Sequence, residues 1–279
     1  MASSAHAIPG ATAGPARARR TSFRVLLRRS RPVLLPAITA ILALAAWEFV
    51  VRYNDVPQVI LPAPSAVFDT IVANFGLLMF HTWQTASEAA AGLVLAIVCG
   101  VSLGMALTYS PLLRDAMFPN LVFFQLIPKV ALAPLFIMWL GIGSISRLAF
   151  ALFISFFPIV ISTMAGLTNV DPNVIRMCKS LTATDWQIFL SVRFPFALPY
   201  IFNGLKIGVT MAMIGVIVGE FITSQAGLGY LILFGSSQAD TPVIFASIAV
   251  LCTVGLAFFG IVAIADRIMR RWFGGAITG

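Results

Sequence analysis

Five ionisable side chains stand inside runs of apolar residues, and these are the places where the sequence could do chemistry. They are Glu48, Glu88, Lys129, Lys206 and Glu220. A charge surrounded by hydrocarbon is costly, so such residues usually face the interior of a helix bundle and often carry function. Lys129 stands out, because Pro128 precedes it and Pro134 follows, and each proline removes a helical hydrogen bond.

The sequence shows no arrangement typical of an enzyme. We find no nucleophile–base set and no metal-ligand spacing, and the histidines and cysteines are scattered: His6, His81, Cys99, Cys178 and Cys252. The motif G-x4-G-K-[ST] is absent, so this chain is not expected to hydrolyse ATP. We therefore predict no catalytic residue, no metal site and no cofactor in the chain.

Composition places the chain in a membrane. Of its 279 residues, 59% are hydrophobic and 10% are charged, whereas an average soluble domain is about 45–50% apolar and about 25% charged. The net charge of +8 could suggest nucleic-acid binding, but seven arginines fall within residues 1–32. We interpret residues 1–32 as a basic, disordered tail that meets anionic headgroups, in preference to a signal peptide or a specific binding arm.

Six apolar runs have about the 20 residues needed to cross a bilayer. They are Val33–Val51, Thr82–Thr108, Ala116–Leu140, Ile145–Leu167, Ala197–Thr223 and Pro242–Ile264. A proline-rich turn and a short amphipathic helix are predicted between the first two. The predicted fold class is thus an all-α integral membrane protein of about six transmembrane helices, with a membrane domain at residues 33–272 and a short tail at 273–279.

The distribution of positive charge predicts the orientation of this domain. Fourteen of the 18 lysines and arginines fall in segments that six spans place on one side, while Arg52 and Arg147 fall on the other. By the positive-inside rule, the first side is the cytoplasm. Both termini and the polar Asn169–Pro199 segment are therefore predicted to be cytoplasmic.

The Asn169–Pro199 segment reads as two short helices. Asp171 and Pro172 are typical of a helix start, and an apolar face follows at Val174, Met177, Cys178 and Leu181. Thr182 is predicted to cap the second helix with Asp185 as its capping-box partner. The apolar face of that helix is formed by Trp186, Phe189 and Leu190, and Pro195 is predicted to end it. Such helices either lie in the lipid interface or dock a soluble partner.

This segment resembles the cytoplasmic loop Glu-Ala-Ala-x3-Gly-x9-Ile-x-Leu-Pro of permease subunits in binding-protein-dependent ABC importers. Aligned on Pro195, Arg176-Met177-Cys178 replace Glu-Ala-Ala, and Thr182 replaces the glycine. The runs APLFIMWLGIG, FFPIV and GEF…S..GLGYLI resemble the nitrate/sulfonate/taurine branch in order and spacing. A threonine is unfavourable at a positive φ that glycine adopts freely, so the structure must decide the geometry of this turn.

The resemblance implies a permease that works with other chains. A second copy would complete a translocation path, two ATPase subunits would supply ATP and Mg²⁺, and an extracytoplasmic substrate-binding protein would deliver a small anionic solute. The expected location is the bacterial inner membrane, in contact with lipid and without nucleic acid. The residues expected to couple the chain to the ATPase are Arg176, Met177, Cys178, Leu181, Thr182, Asp185, Trp186, Phe189 and Pro195.

The predicted path and gate involve six residues. We expect Lys129 to face the path and attract an anion; the alternative is a structural ion pair with Glu88 or Glu220. Gln125 and Asn203 either line the path or bond a neighbouring helix. The resemblance implies a gating role for Glu220, Gly227 and Gly229, although the glycines alone could serve a simple turn.

Two other functions fit the membrane composition. A secondary transporter or channel would need no ATPase, and a membrane scaffold would bind a soluble enzyme through the same loop without moving a solute. The sequence shows no inverted repeat, which is common in secondary transporters. The importer permease is therefore the favoured interpretation.

Overall fold

The computed structural model describes residues 21–223 and 225–273, and within these ranges it contains helices and no β-strand. The α-helices, in chain order, are α1 (Thr21–Tyr53), α2 (Pro64–Ala73), α3 (Phe75–Tyr109), α4 (Pro111–Leu126), α5 (Ala133–Leu140), α6 (Ser144–Thr168), α7 (Pro172–Ser180), α8 (Asp185–Ile188), α9 (Phe194–Thr223), α10 (Leu228–Ser237) and α11 (Thr241–Phe273). A 3₁₀ turn, Lys129–Leu132, joins α4 to α5, and a π-helical segment, Phe189–Arg193, joins α8 to α9.

Five of these helical segments are long and apolar enough to cross a membrane. They are Leu34–Tyr53, Phe75–Tyr109, Ser144–Thr168, Asp185–Thr223 and Thr241–Trp272. A sixth crossing is possible through Pro111–Leu126 and Lys129–Leu140, which are bent by 91° at their break. The predicted all-α fold class with about six spans is confirmed.

The bend in the third predicted span follows from its prolines. Ile127, the residue before Pro128, has an extended backbone (φ −64°, ψ 134°), because proline pushes the preceding residue out of the α region. Pro134 lies in the first turn of α5, where its missing N–H does no harm. The predicted single span Ala116–Leu140 is therefore two helices, and Lys129 stands at the corner between them.

Residues up to Asp55 form one compact unit, and residues from Val56 onwards form a second. In the first unit, α1 begins at Thr21, earlier than the span predicted at Val33, so part of the expected disordered tail is helical. The remaining parts of the predicted tails, residues 1–20 and 274–279, lie outside the described residues.

The core of the second unit is built around α6, which packs against both α3 and α9. Small residues make this packing possible: on α3, Ala89, Ala96 and three glycines face α6 or lie beside it. A Cβ atom added at Gly100 would lie 2.8 Å from the Ile159 side chain, and one added at Gly104 would lie 2.7 Å from Thr163. Helices in lipid associate mainly through such close backbone contacts.

The opposite side of α6 is met by a second row of glycines on α9. A Cβ atom at Gly215 would lie 2.7 Å from the Ala151 backbone, and one at Gly219 would lie 2.8 Å from the Arg147 side chain. Because α9 has 30 residues, it is about 45 Å long. It therefore connects the end of the bundle next to α7, here named the α7 end, to the end next to α10, named the α10 end.

Candidate functional site

The N-terminus of α10 is held by side chains from α3 and α9. Three consecutive backbone amides each donate a hydrogen bond: Gly227 to His81 Nδ1 (2.9 Å), Leu228 to Thr85 Oγ1 (2.8 Å) and Gly229 to Glu220 Oε2 (2.7 Å). The Thr85 hydroxyl also donates to Glu220 Oε1 at 2.6 Å. These contacts, named the α10 clamp, satisfy amides that a helix start leaves without an internal partner.

Both glycines of the clamp are required by its geometry. Gly227 has φ +111°, and a Cβ atom there would overlap the Glu220 carboxylate. A Cβ atom at Gly229 would lie 2.8 Å from Glu220 Oε2. The three residues predicted for the gate, Glu220, Gly227 and Gly229, thus form one buried contact, to which His81 and Thr85 are additions that the sequence did not predict.

A buried ion pair lies close to the clamp. Arg147 Nη2 lies 2.6 Å from Glu88 Oε1 and Arg147 Nε lies 2.7 Å from Glu88 Oε2. Both side chains are at most 7% exposed, and Gln84 adds a hydrogen bond to Glu88 of 2.7 Å. Removing one partner of such a pair typically costs about 3–5 kcal/mol. The sequence predicts Arg147 as a charge in an outer loop, and its burial in this pair corrects that prediction. The sequence feature that indicates an interior cation is Glu88, an acid within an apolar run.

Lys129 has neither of the carboxylate partners considered for it. Glu88 pairs with Arg147, and Glu220 belongs to the α10 clamp. The half-buried Lys129 ammonium lies 5.2 Å from the centre of the Phe157 ring, a cation–π contact. It forms no salt bridge with any residue in the described ranges. The structural ion-pair alternative is therefore wrong.

The other in-span lysine is paired. Lys206 Nζ on α9 lies 2.7 Å from Asp266 on α11, and Arg270 lies 2.6 Å from the same carboxylate. This triad joins α9 to α11, and it holds the Lys206 ammonium on a carboxylate. In its pairing Lys206 differs from Lys129, although both are half-buried and look alike in sequence.

α9 keeps one open face along its length. Its exposed residues are Tyr200, Asn203, Ile207, Thr210, Ile214, Phe221 and Ile222, and from Tyr200 to Ile214 they recur every three to four positions. Asn203, predicted for the path, lies on this face, and Gln125 on α4 is also exposed. Since the rest of α9 is largely buried, this open face requires a cover, such as lipid or another protein chain.

α7 ends in a Schellman motif centred on Thr182. The Ala183 amide donates to the Cys178 carbonyl at 3.1 Å, and the Thr182 amide donates to the Lys179 carbonyl at 3.0 Å. Thr182 has φ +61°, a conformation that glycine adopts freely and a β-branched residue does not. Thr182 therefore adopts the left-handed backbone conformation that the glycine of the family motif would favour at this position.

The start of α8 differs from the prediction. Thr184, not Thr182, caps the helix, and its capping-box partner is Gln187, not Asp185. Asp185 instead lies 3.3 Å from Lys179 in an exposed ion pair. Glutamine reaches the N-cap amide better than the shorter aspartate does, which is why it is preferred at this position.

Pro195 does not end the second short helix. The backbone stays helical from α8 through the π-helical segment into α9, with Phe194 at φ −65° and ψ −49°. A π-helical segment spaces its hydrogen bonds differently, so the chain can continue past a proline that cannot donate. The buried Pro195 lies in the first turn of α9, where it is tolerated.

The predicted apolar face of these helices divides into two parts. Phe189 is 6% exposed and packs in the core, with its ring 5.4 Å from Tyr109 and 5.5 Å from Trp186. By contrast, Met177, Leu181 and Trp186 are 58%, 72% and 65% exposed. We name these three the α7–α8 patch. Phe189 therefore anchors the patch to the core and is not part of its open surface.

The remaining predicted coupling residues surround this patch. Arg176 is exposed and donates to Asn173 Oδ1 at 2.6 Å. Cys178 is half-buried and lines a cavity of about 430 Å³ together with Leu181, Thr182 and Gln187. The structure thus brings Cys178 and Thr182 to one cavity, and Arg176 is not among the residues that line it. No group of ligands that could hold a metal occurs among the described residues.

Residues 92–273 match the family described as "Binding-protein-dependent transport system inner membrane component". The chain belongs to this family. It is 36% identical to the riboflavin transport system permease protein RibX of Chloroflexus aurantiacus, covering 89% of this chain and 94% of that protein. It is 29% identical to the taurine transport system permease protein TauC of Escherichia coli, covering 88% and 92%.

Other matches agree with this assignment. The formylaminopyrimidine transport permease protein ThiX of Halalkalibacterium halodurans is 32% identical, over 88% of this chain and 98% of that protein. A subunit of the inward-facing MetNI methionine ABC transporter shares the fold, with a TM-score of 0.61, 19% identity, and coverage of 71% and 98%. The chain is a permease subunit of an ABC importer, which is a transport protein and not an enzyme. Membership of this family decides against the two alternatives, a channel or secondary transporter without an ATPase and a membrane scaffold.

Replacing Thr182 with glycine should stabilise the end of α7 by about 1 kcal/mol, because the left-handed conformation of Thr182 is unfavourable for a residue with a Cβ atom. Hydrogen exchange at the Thr182 and Ala183 amides measures this as slower local opening. Thr182→Ala is the matched control, since it removes the hydroxyl but keeps the Cβ atom. Equal exchange in both variants would show that the turn is not strained.

Proposed function

We propose that two copies of this chain form the translocation path, that two ATPase subunits bind their α7–α8 patches in the cytoplasm, and that a substrate-binding protein delivers the solute on the other side. ATP and Mg²⁺ are bound by the ATPase subunits. The observation that carries this proposal is the exposed patch of Met177, Leu181 and Trp186. Exposed aromatic and methionine side chains are enriched where proteins bind each other.

The connection from this patch to the bundle supports a role in coupling. Trp186 stacks on Phe189, which packs in the core, and α8 continues without a break into α9. A force on the patch would therefore move α9 rather than bend a loose loop. Coupling requires that the ATPase contact this surface differently in its two states, because a partner with equal affinity for both conformations shifts neither.

The path is proposed to run along the open face of α9 and the corner that carries Lys129. Asn203 and Thr210 place polar atoms on this face, and Gln125 lies on the neighbouring broken span. The second copy of the chain would cover the apolar remainder of the face. The proposed solute is a small anion, because the Lys129 ammonium faces an aromatic ring and has no ion-pair partner in the described residues.

The α10 clamp is proposed as the outer gate. Glu220 lies near one end of α9, and α7 and α8 lie before its other end, so one helix connects the gate to the proposed ATPase surface. In the closed gate, Glu220 accepts from Gly229 and Thr85. Rotation of α9 would withdraw the carboxylate and release the start of α10, in line with the rocking motions of transporters.

The proposed location is the bacterial inner membrane, with both termini in the cytoplasm. Six crossings place the α7–α8 patch on the same side as the termini, and the excess of lysine and arginine on that side supports the orientation. Residues 33–272 form the membrane domain, and the basic residues 1–32 meet anionic headgroups at the same surface.

Trp186→Asp should reduce co-purification of the cognate ATPase by at least about tenfold, since a charge in an apolar contact readily costs the ~1.4 kcal/mol that tenfold represents. Leu112→Asp is the control, because Leu112 is 82% exposed on α4 outside the patch. Both variants should keep the unfolding midpoint of the unchanged chain. Normal ATPase binding and ATP-driven uptake by Trp186→Asp would disprove docking at this surface.

Lys129→Ala should lower uptake of the solute at least about tenfold, whereas Lys129→Arg should retain most of it, because only the first removes the positive charge. The measurement is uptake by proteoliposomes holding the complete complex, with the solute identified beforehand by mass spectrometry of the purified complex. Unchanged uptake by Lys129→Ala and Lys129→Arg would place Lys129 outside the path.

Gly227→Ala should uncouple the gate, because its Cβ atom would overlap the Glu220 carboxylate. We expect stimulation of ATP hydrolysis by the binding protein to fall at least severalfold. Gly141→Ala is the matched control: Gly141 also has a positive φ, of 81°, but no atom within 4 Å of the added Cβ. If both variants respond alike to the binding protein, the clamp has no role in gating.

A further inference from the structure

A small cavity lies at the α7 end, where α3 ends, α4 begins and α6 ends. Its volume is about 270 Å³, and its walls include Thr108, Arg114, Thr168, Ile175 and Arg193. Five different helical elements contribute to it, so it is a cleft of the folded bundle and not a groove within one loop. We name it the two-arginine cavity.

Two of the residues that line this cavity are arginines, and none is acidic. Arg114 lies 3.7 Å from its neighbour Asp115, but these side chains are 44% and 77% exposed, and such exposed pairs contribute little. Arg193 is half-buried and forms no hydrogen bond or ion pair to any residue in the described ranges. Two like charges around one cleft repel each other, and an anion between them would remove this cost.

Elsewhere the bundle supplies its own counter-charges. Arg147 is paired with Glu88, and Lys206 and Arg270 share Asp266. Each of these three cations has a carboxylate within 2.7 Å, although Lys206 and Arg270 share one, and Lys129 stacks on an aromatic ring instead. The two-arginine cavity departs from this pattern, which indicates that its counter-charge comes from outside the chain.

The hydrogen-bond donors of the cavity favour an anion with several oxygens. The hydroxyls of Thr108 and Thr168 donate to the carbonyls of Gly104 (2.9 Å) and Met164 (2.8 Å). The donors left for a ligand are therefore the guanidinium groups. A planar guanidinium binds two oxygens of a phosphate at once, which makes arginine the preferred residue for this group.

The position of the cavity at the membrane surface favours a lipid headgroup as the source of the phosphate. It lies beside Tyr109 at the end of one span and Thr168 at the end of another, which is the level of the headgroups. The charge distribution assigns this end to the cytoplasmic leaflet, where basic pockets between helices bind anionic lipid headgroups. We propose that the two-arginine cavity binds the phosphate of an anionic phospholipid.

A lipid at this site would affect the proposed coupling surface. Ile175 belongs to α7, and Arg193 ends the π-helical segment that leads into α9. The headgroup would therefore touch both ends of the segment that carries the α7–α8 patch. This consequence rests on the proposed function, but lipid binding itself does not, because it requires neither the ATPase nor the binding protein.

Native mass spectrometry of the purified, delipidated full chain tests the proposal, with dioleoyl phosphatidylglycerol and phosphatidylcholine as probes. We expect one phosphatidylglycerol to be retained per chain and phosphatidylcholine to be lost. The double substitution Arg114→Gln/Arg193→Gln should weaken phosphatidylglycerol binding at least tenfold. Arg267→Gln/Arg271→Gln, which removes the same two charges from exposed positions on α11, should leave binding unchanged.

Further variants and a competing ligand distinguish phospholipid binding from its alternatives. Arg114→Lys/Arg193→Lys keeps both charges and should bind phosphatidylglycerol more tightly than the double glutamine variant. If the double glutamine variant fails to fold, each single glutamine variant should show a partial loss of binding.

Millimolar inorganic phosphate should displace the lipid. Equal retention by the glutamine pair and the unchanged chain, equal binding of phosphatidylcholine, or binding of inorganic phosphate without phosphatidylglycerol would each overturn the proposal. Normal ATPase binding by Trp186→Asp would disprove docking at the α7–α8 patch but would not alter the lipid-binding result, so the two proposals can fail separately.

Discussion

The close approach of α6 to α3 and α9 is the contact on which the rest of the structure depends. Helices surrounded by lipid gain little from burying apolar side chains, since the lipid is equally apolar, and they associate through tight packing instead. Glycines at 100, 104, 215 and 219 let the backbones meet where a methyl group would collide. This packing brings Glu88 to Arg147 and Glu220 to Thr85, so both polar contacts of the α10 end depend on it.

One helix joins the two proposed functional regions of the bundle, the α7–α8 patch and the α10 clamp. α9 begins directly after the segment that carries the exposed patch and ends just before the glycines that Glu220 holds. Its glycine row packs on α6, while another face carries exposed residues from Tyr200 to Ile214 and again at Phe221. A rigid helix of this kind can transmit a displacement from one membrane surface to the other without any rearrangement of its own hydrogen bonds. The proposed ATPase surface, path and gate are therefore parts of a single mechanical element.

Similar residues acquired different roles according to what the fold placed beside them. Lys129 and Lys206 are both lysines in apolar runs, yet Lys206 meets Asp266 while Lys129 meets only the ring of Phe157. Arg147 resembled a loop residue from its position before an apolar run, and the fold buries it against Glu88. Phe189 and Trp186 looked like one apolar face, but only Trp186 remains exposed. Sequence spacing identifies a helix face, whereas burial depends on the neighbours of that face.

The sequence by itself determined the membrane class, a count of about six spans and the break at Pro128, because hydropathy and proline geometry act over a few neighbouring residues. The grouping of Glu220 with Gly227 and Gly229 came instead from the family resemblance. It also located the segment between the fourth and fifth spans, although it placed the second helix cap at Thr182 and a helix end at Pro195. Only the tertiary structure decided the partners of each charge, the continuity of α8 with α9 and the contacts of His81 and Thr85 with α10. These features join residues up to about 146 positions apart, and such contacts depend on which helices pack together, which local patterns do not encode.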